Sequence, residues 1–171
     1  MSKNSSKSTK KSAKSADKTN VMRILDQKHI PYKLHSYDNM SKSAAEVAAA
    51  LNIAPDALFK TLVTVGKSGA HYVFMVPGSE ELDLKKAAIA AGEKSVAMIP
   101  QRELLPLTGY VHGGCSPVGM KKQFPAFIDS SAENHREICF SAGKIGKQVQ
   151  LSPADLKKAV PISYAMITSK I

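Results

Sequence analysis

The run Gly113-Gly114-Cys115-Ser116-Pro117-Val118-Gly119-Met120-Lys121-Lys122 is the segment best suited to holding a reactive group. Glycine lets a backbone approach a ligand closely and aim successive N–H groups at one oxygen, which suits an ester carbonyl or a phosphate. The same residues also make an ordinary turn. Because the spacing is neither a P-loop nor a dinucleotide fingerprint, spacing alone favours the turn. Lys60 is the second candidate, since it interrupts the run Phe59-Lys60-Thr61-Leu62-Val63-Thr64-Val65. A lysine there either projects from a solvated strand edge or gives a cleft a fixed positive charge for a phosphate or developing oxyanion.

Sulfur and imidazole groups offer two further arrangements. His112, Cys115, His135 and Cys139 have separations a zinc site can use, but Cys139 alternates with Ile138 and Phe140 as core residues of a strand do, so no metal is expected. Cys115 with His112 as its base would make a thiol nucleophile, provided the fold brings them into acyl-transfer geometry. Glu80, Glu81 and Asp83 crowd one loop and helix start and read as caps and solvated charges rather than paired catalytic acids. Aromatic and basic residues do not interleave in the manner that stacks single-stranded bases. Recognition of a nucleic acid would therefore rest on phosphate contacts.

These side chains need elements to position them. Thr19 is placed to cap a helix through Val21, Ile24 and Leu25 that ends before Pro31, and Tyr32 to Tyr37 alternate as a half-buried strand. Ser43 and Glu46 form a capping-box pattern ahead of Val47 and Leu51, and Pro55 opens a brief helical turn. Phe59 to Val65 and Ala70 to Val76 predict a hairpin around Gly66–Gly69. Asp83 begins a helix over Leu84 to Ala91 that Gly92 ends, and a short helix follows Pro100. Strand-like runs at Tyr110–His112, Ala126–Asp129, Glu137–Ser141 and Gln148–Leu151 precede a last helix at Ser152-Pro153. Tight turns between neighbouring strands exclude a purely parallel doubly wound sheet, leaving an α+β or mixed α/β fold with a partly closed sheet.

The 171 residues fit one domain, and no apolar run approaches the length needed to span a bilayer. Two cysteines are too few for a disulfide framework and no secretory signal follows Met1, which points to the reducing cytoplasm. The net charge of +10 favours an anionic partner. Half of that charge sits in Met1–Lys18, which holds six lysines, one aspartate and no large apolar side chain beyond Met1. Such an arm cannot offset its conformational entropy by burial and is expected to be disordered, with the folded domain over residues 19–171.

Taken together, His35-Ser36-Tyr37, Phe59-Lys60-Thr61-Leu62, Leu82-Asp83-Leu84-Lys85-Lys86, Thr108-Gly109-Tyr110 with the loop that follows, and Ser141-Ala142-Gly143-Lys144-Ile145-Gly146 resemble the YbaK/EbsC family in order, across Asn20 to Ala159. Relatives of that family include the editing insertion domain of bacterial prolyl-tRNA synthetases. The resemblance implies a barrel-like mixed sheet with surrounding helices and a cleft for the aminoacylated 3′ end of a tRNA. It places the family's essential lysine at Lys60 and its substrate-contacting glycine at Gly113, with Gly114 beside it as a further backbone donor. Tyr37, Thr61, Ser116, Ser141 and Gly143 become candidate substrate-binding positions, and no cofactor is implied. Ser43 and Gln148 depart from the family pattern, standing where some members carry an aromatic and an acid.

The activity so implied is removal of cysteine from mischarged tRNA(Pro), and of cysteinyl-tRNA(Cys) as a related substrate, with the substrate's own thiol attacking its ester. Prolyl-tRNA synthetase is the implied partner. Two alternatives stand beside it: a deacylase for alanyl-tRNA(Pro) that uses a bound water, and a non-catalytic protein that binds tRNA or a synthetase.

Overall fold

Thr19 accepts a hydrogen bond from Met22 N–H (3.2 Å) and opens α1 (Asn20–Gln27), whose Val21, Met22 and Leu25 are buried. The chain is a computed structural model that describes residues 18–38 and 43–169; the arm expected to be disordered lies, apart from Lys18, outside them. After β1 (Lys33–Ser36), the expected capping box closes at α2 (Ala44–Ala50), where Ser43 N–H donates to Glu46 Oε1 (2.7 Å) and Glu46 N–H to Ser43 Oγ (3.1 Å). Reciprocal capping of this kind fixes where α2 starts, and so fixes Ser43 itself.

The hairpin forms as expected. β2 (Phe59–Gly66) and β3 (His71–Pro77) pair in register from Phe59↔Pro77 to Val65↔His71. Asp83 caps α3 (Leu84–Ala91) through Lys85 and Lys86 N–H, and Gly92 ends it at φ 72°, a conformation glycine adopts without strain. Beyond it come β4 (Val96–Met98), a 3-10 turn after Pro100, α4 (Leu104–Thr108), β5 (Ala126–Asp129), β6 (Ile138–Ser141), β7 (Lys147–Leu151), α5 (Pro153–Ala159) and β8 (Ile162–Ala165).

Three elements differ from the sequence reading. Tyr110–His112 is not a strand, because Gly109 at φ 87° turns the chain out of α4 and Val111 then starts a tight turn. β4 and β8 were not expected; each is short and forms by pairing with a distant partner, β2 and β5 respectively.

The strands make two sheets, one in the order β1-β7-β6 and the other in the order β4-β2-β3-β5-β8, with β3, β5 and β8 parallel to one another. The fold is thus mixed α/β, but the sheets do not close into a barrel. They meet at an isolated bridge between Leu58 and Cys139, and β4 covers β2 only from Val63 onward. The main core lies against α1 and includes Leu25, Phe59, Phe140 and Leu151. A second cluster packs Phe74 and Val76 against Ala87 and Ala88 of α3, and a third seats Val47 and Ala48 of α2 on Leu58 and Cys139. Helix α2 therefore roofs the seam between the sheets. Among the described residues, no helix is long and apolar enough to cross a membrane.

Candidate functional site

The site begins with the edge of β2. Even-numbered residues turn their backbone groups toward β3, as shown by Gly66 N–H donating to Ala70 O (2.8 Å) and Gly78 N–H donating to Leu58 O (2.7 Å). Odd-numbered residues face the other edge, where Ile99 N–H meets Val63 O (3.3 Å). β4 stops there, and the bridge to β6 lies at Leu58, just ahead of β2. Thr61 lies between these two covers, with its main-chain groups aimed at an uncovered stretch of edge. Its hydroxyl is buried with no hydrogen-bond partner among the described residues.

A cleft of about 370 Å³ opens along this gap. That volume is in the range of small-molecule sites and admits one end of a polymer rather than a folded partner. Phe59 and Leu62 of β2 with Leu58 just ahead of it, Ala44 and Val47 of α2, Leu104 of α4 and Ile145 supply apolar walls. Lys60, Thr61, Tyr37, Ser43, His112, Gly113, Ser141 and Gln148 supply polar groups, and no acid is among the described lining residues. The cleft therefore carries a positive field from Lys60. The Lys60 side chain is one-quarter exposed (25%), and its ammonium meets Glu81 Oε2 at 3.4 Å. A pair this long and this solvated contributes about 0–1 kcal/mol, so an incoming anion displaces Glu81 at little cost.

Gly113 is fixed by a turn. Gly114 N–H donates to Val111 O (2.9 Å), closing Val111–Gly114 with Gly113 in third position at φ 89°. A turn of that shape needs positive φ at its third residue, so glycine is required there. It consumes the N–H of its fourth residue, not its third. The turn thus uses the Gly114 N–H and makes no demand on that of Gly113, which lines the cleft.

Of the eight site residues read from the sequence, Lys60, Gly113, Tyr37, Thr61 and Ser141 converge on this cleft, and Gly114, Ser116 and Gly143 do not line it. Gly114 packs so closely on Lys144 and Ile145 that a Cβ would sit 3.2 Å from Ile145 N. Ser116 is fully buried, and its hydroxyl accepts from Val118 N–H (3.4 Å). Gly143 donates its N–H to Ser141 Oγ (3.0 Å) and lies against Tyr110 and Val21. These three shape the loops behind the site. Ser43, read from sequence as a helix cap and a departure from the family pattern, and Gln148, read only as a departure, are lining residues; Val47 and Ile145 lay within sequence motifs without being singled out, and Leu104 carried no sequence signal beyond being apolar.

The sulfur arrangements do not assemble. Cys139 is buried under α2 and faces Gln150, while His135 lies 4.0 Å from Asp56. Among the described residues no group of three or more His, Cys, Asp or Glu is placed to hold a metal ion. Cys115 does reach the cleft with His112, but burial pushes its thiol up to about 12. At neutral pH it is a thiol, not a nucleophilic thiolate.

The family model for the aminoacyl-tRNA editing domain matches residues 38–159, a span that contains every polar residue of the cleft except Tyr37. The chain belongs to the aminoacyl-tRNA editing domain family. This editing domain is 44% identical over 161 residues to an Enterococcus faecalis protein, EbsC, whose name proposes a Cys-tRNA(Pro)/Cys-tRNA(Cys) deacylase; the match covers 92% of this chain and 97% of that one. It is 35% identical over 81 residues to a proline–tRNA ligase of Pelobacter propionicus, covering 47% of this chain and 14% of the ligase. A crystal structure described as a proposed trans-editing enzyme for prolyl-tRNA synthetase superposes with a TM-score of 0.78 at 25% identity, covering 89% of this editing domain and 99% of that chain.

Proposed function

We propose that this editing domain is a stand-alone deacylase that removes cysteine from mischarged tRNA(Pro). One observation carries the reading: Lys60, Thr61 and Gly113 line a single cleft with no acid among its described lining residues, and burial keeps Cys115, its described thiol, protonated. Such a site can bind an anionic acceptor end and polarise an ester, but its described thiol, Cys115, is no thiolate nucleophile at neutral pH.

Cysteinyl esters supply that nucleophile. The substrate sulfur bonds to its own ester carbonyl carbon, the bond from that carbon to the ribose oxygen breaks, and the thiol proton ends on the departing oxygen. The four-membered thiolactone so released is opened by water to free cysteine. The protein's part is to hold thiol and carbonyl in line, and positioning alone is worth effective molarities of about 10⁵ M or more. Gly113 N–H and Thr61 N–H polarise the carbonyl, and Lys60 holds the terminal ribose or phosphate. Tyr37 and Ser141 complete the wall around the amino acid.

The likeness to prolyl-tRNA ligases supports prolyl-tRNA synthetase as the partner that selects the tRNA, in the cytoplasm where charging occurs. The test is release of radiolabelled amino acid from cysteinyl-, alanyl- and seryl-tRNA(Pro) by the wild type and by Lys60→Ala. Selective, Lys60-dependent release from cysteinyl-tRNA is expected. Preference for alanyl-tRNA would move the protein to the sister activity, and equal turnover of seryl-tRNA would refute thiol assistance. Salt-sensitive binding without release would leave a tRNA-binding protein.

A further inference from the structure

Gln148 sits on β7, the middle strand of the smaller sheet, opposite His35 of β1 and Ser141 of β6. It is 5% exposed, it lines the cleft, and its Oε1 has no hydrogen-bond partner among the described residues. The sheet does not treat its other amide this way. Gln150, the next residue on the same face of β7, accepts from His35 Nε2 (2.6 Å) and donates to Glu137 Oε1 (2.7 Å). Ser141, across the strand from Gln148, uses its hydroxyl to accept from Gly143 N–H. A buried amide oxygen without a partner, on a residue that lines a cleft, suits a donor that arrives with the ligand.

We infer that Gln148 Oε1 accepts a hydrogen bond from the substrate's α-ammonium group, making Gln148 the residue that requires a free α-amine. The inference rests on the deacylase reading above. Of the groups an aminoacyl ester brings, the carbonyl oxygen is an acceptor and cannot satisfy Oε1. The thiol is a weak donor and loses its proton in the reaction. The ammonium offers three strong donors, and among the described residues no carboxylate lines the cleft to take them. Holding the nitrogen also fixes Cα, and so restricts rotation of the thiol about the bond that must bring it onto the carbonyl. An N-acylated aminoacyl-tRNA, such as a peptidyl-tRNA, presents neither the charge nor the room and is excluded.

The experiment compares cysteinyl-tRNA(Pro) with 3-mercaptopropionyl-tRNA(Pro), which keeps thiol and ester and lacks only the amine. Each kcat/KM is normalised to the uncatalysed rate of the same ester. The wild type is expected to favour the cysteinyl ester about 10- to 100-fold, the range of one charge-assisted hydrogen bond. Gln148→Met, close in shape, is expected to lose that factor on the cysteinyl ester and to leave the amine-free ester unchanged; Gln148→Glu, which restores an acceptor, is expected to keep the preference. Equal normalised rates for the two esters with the wild type would overturn the inference, as would Gln148→Met slowing both alike. The wild-type comparison decides the matter even where a variant fails to fold. Absence of wild-type release from either ester would sink the deacylase reading and this inference with it, whereas release without preference sinks this inference alone.

Discussion

The ammonium of Lys60 stands 3.4 Å from Oε2 of Glu81, a carboxylate whose side chain is 83% exposed. Backbone pairing anchors the main chain that carries it, because Ser169 N–H donates to Glu81 O (3.2 Å) and Asp83 N–H to Ile167 O (2.8 Å). Glu81 is therefore a nearby, weak competitor for the charge the substrate needs.

Lys60→Ala is expected to lower kcat/KM on cysteinyl-tRNA by about 100-fold or more, the loss typical of a preorganised charge. Thermal stability should change by less than about 1 kcal/mol, since only an exposed pair is lost. Glu81→Gln is expected to act in the opposite sense, lowering KM by up to about fivefold with kcat unchanged. Steady-state kinetics beside a thermal melt check both.

Thr61→Val separates function from stability. It keeps the branched shape and removes a buried hydroxyl that has no partner among the described residues, so the melting temperature is expected to rise by about 2–4 °C. Activity is expected to stay within about threefold, because the Thr61 N–H is untouched. A melting temperature that drops instead would mean that the hydroxyl holds the fold together.

Gly113→Ala meets no atom closer than 3.6 Å, so its cost is conformational. Forcing a side chain to φ 89° is expected to destabilise by about 1–2 kcal/mol and to move the turn that carries the Gly113 N–H. Gly114→Ala is expected to push directly on the backbone at Ile145, a cleft wall, and so to raise KM. Circular dichroism melts and kinetics distinguish the two variants.

Alkali should unfold this protein through its thiols. Burial pushes both Cys115 and Cys139 up to about 12, above the value of about 8.5 they have in an unfolded chain. Raised folded values mean that their contribution is fully present below about pH 8.5 and is lost as pH climbs toward 12, by about 2 kcal/mol for each thiol at pH 10. Denaturant midpoints measured from pH 7 to pH 10 test this. Cys115→Ala is expected to flatten the alkaline slope while leaving turnover at neutral pH within about threefold.

Local signals carried most of the fold. Ser43 with Glu46, Asp83 with Gly92, and the hairpin around Gly66–Gly69 are each written within a few residues, and each forms where expected. β4 and β8 are three and four residues long and exist only through partners far along the chain, so no window of sequence holds them. The site divides in the same way. Lys60 stood out because its neighbours are apolar. Which of two adjacent glycines keeps its N–H depends on where Val111 O points, and the direction of Gln148 depends on register across three strands. Composition encodes neither.

An unpaired strand edge is normally a hazard, because it offers a template on which another copy can add a strand and begin to aggregate. Here the gap left between β4 and the Leu58–Cys139 bridge is centred on one residue, Thr61, and α2 stands over it. That is too short for a neighbouring chain to zip against, yet long enough to leave one peptide group turned outward. The protein thereby gains a rigid main-chain donor that no side-chain substitution can delete, without acquiring a surface that sticks to itself.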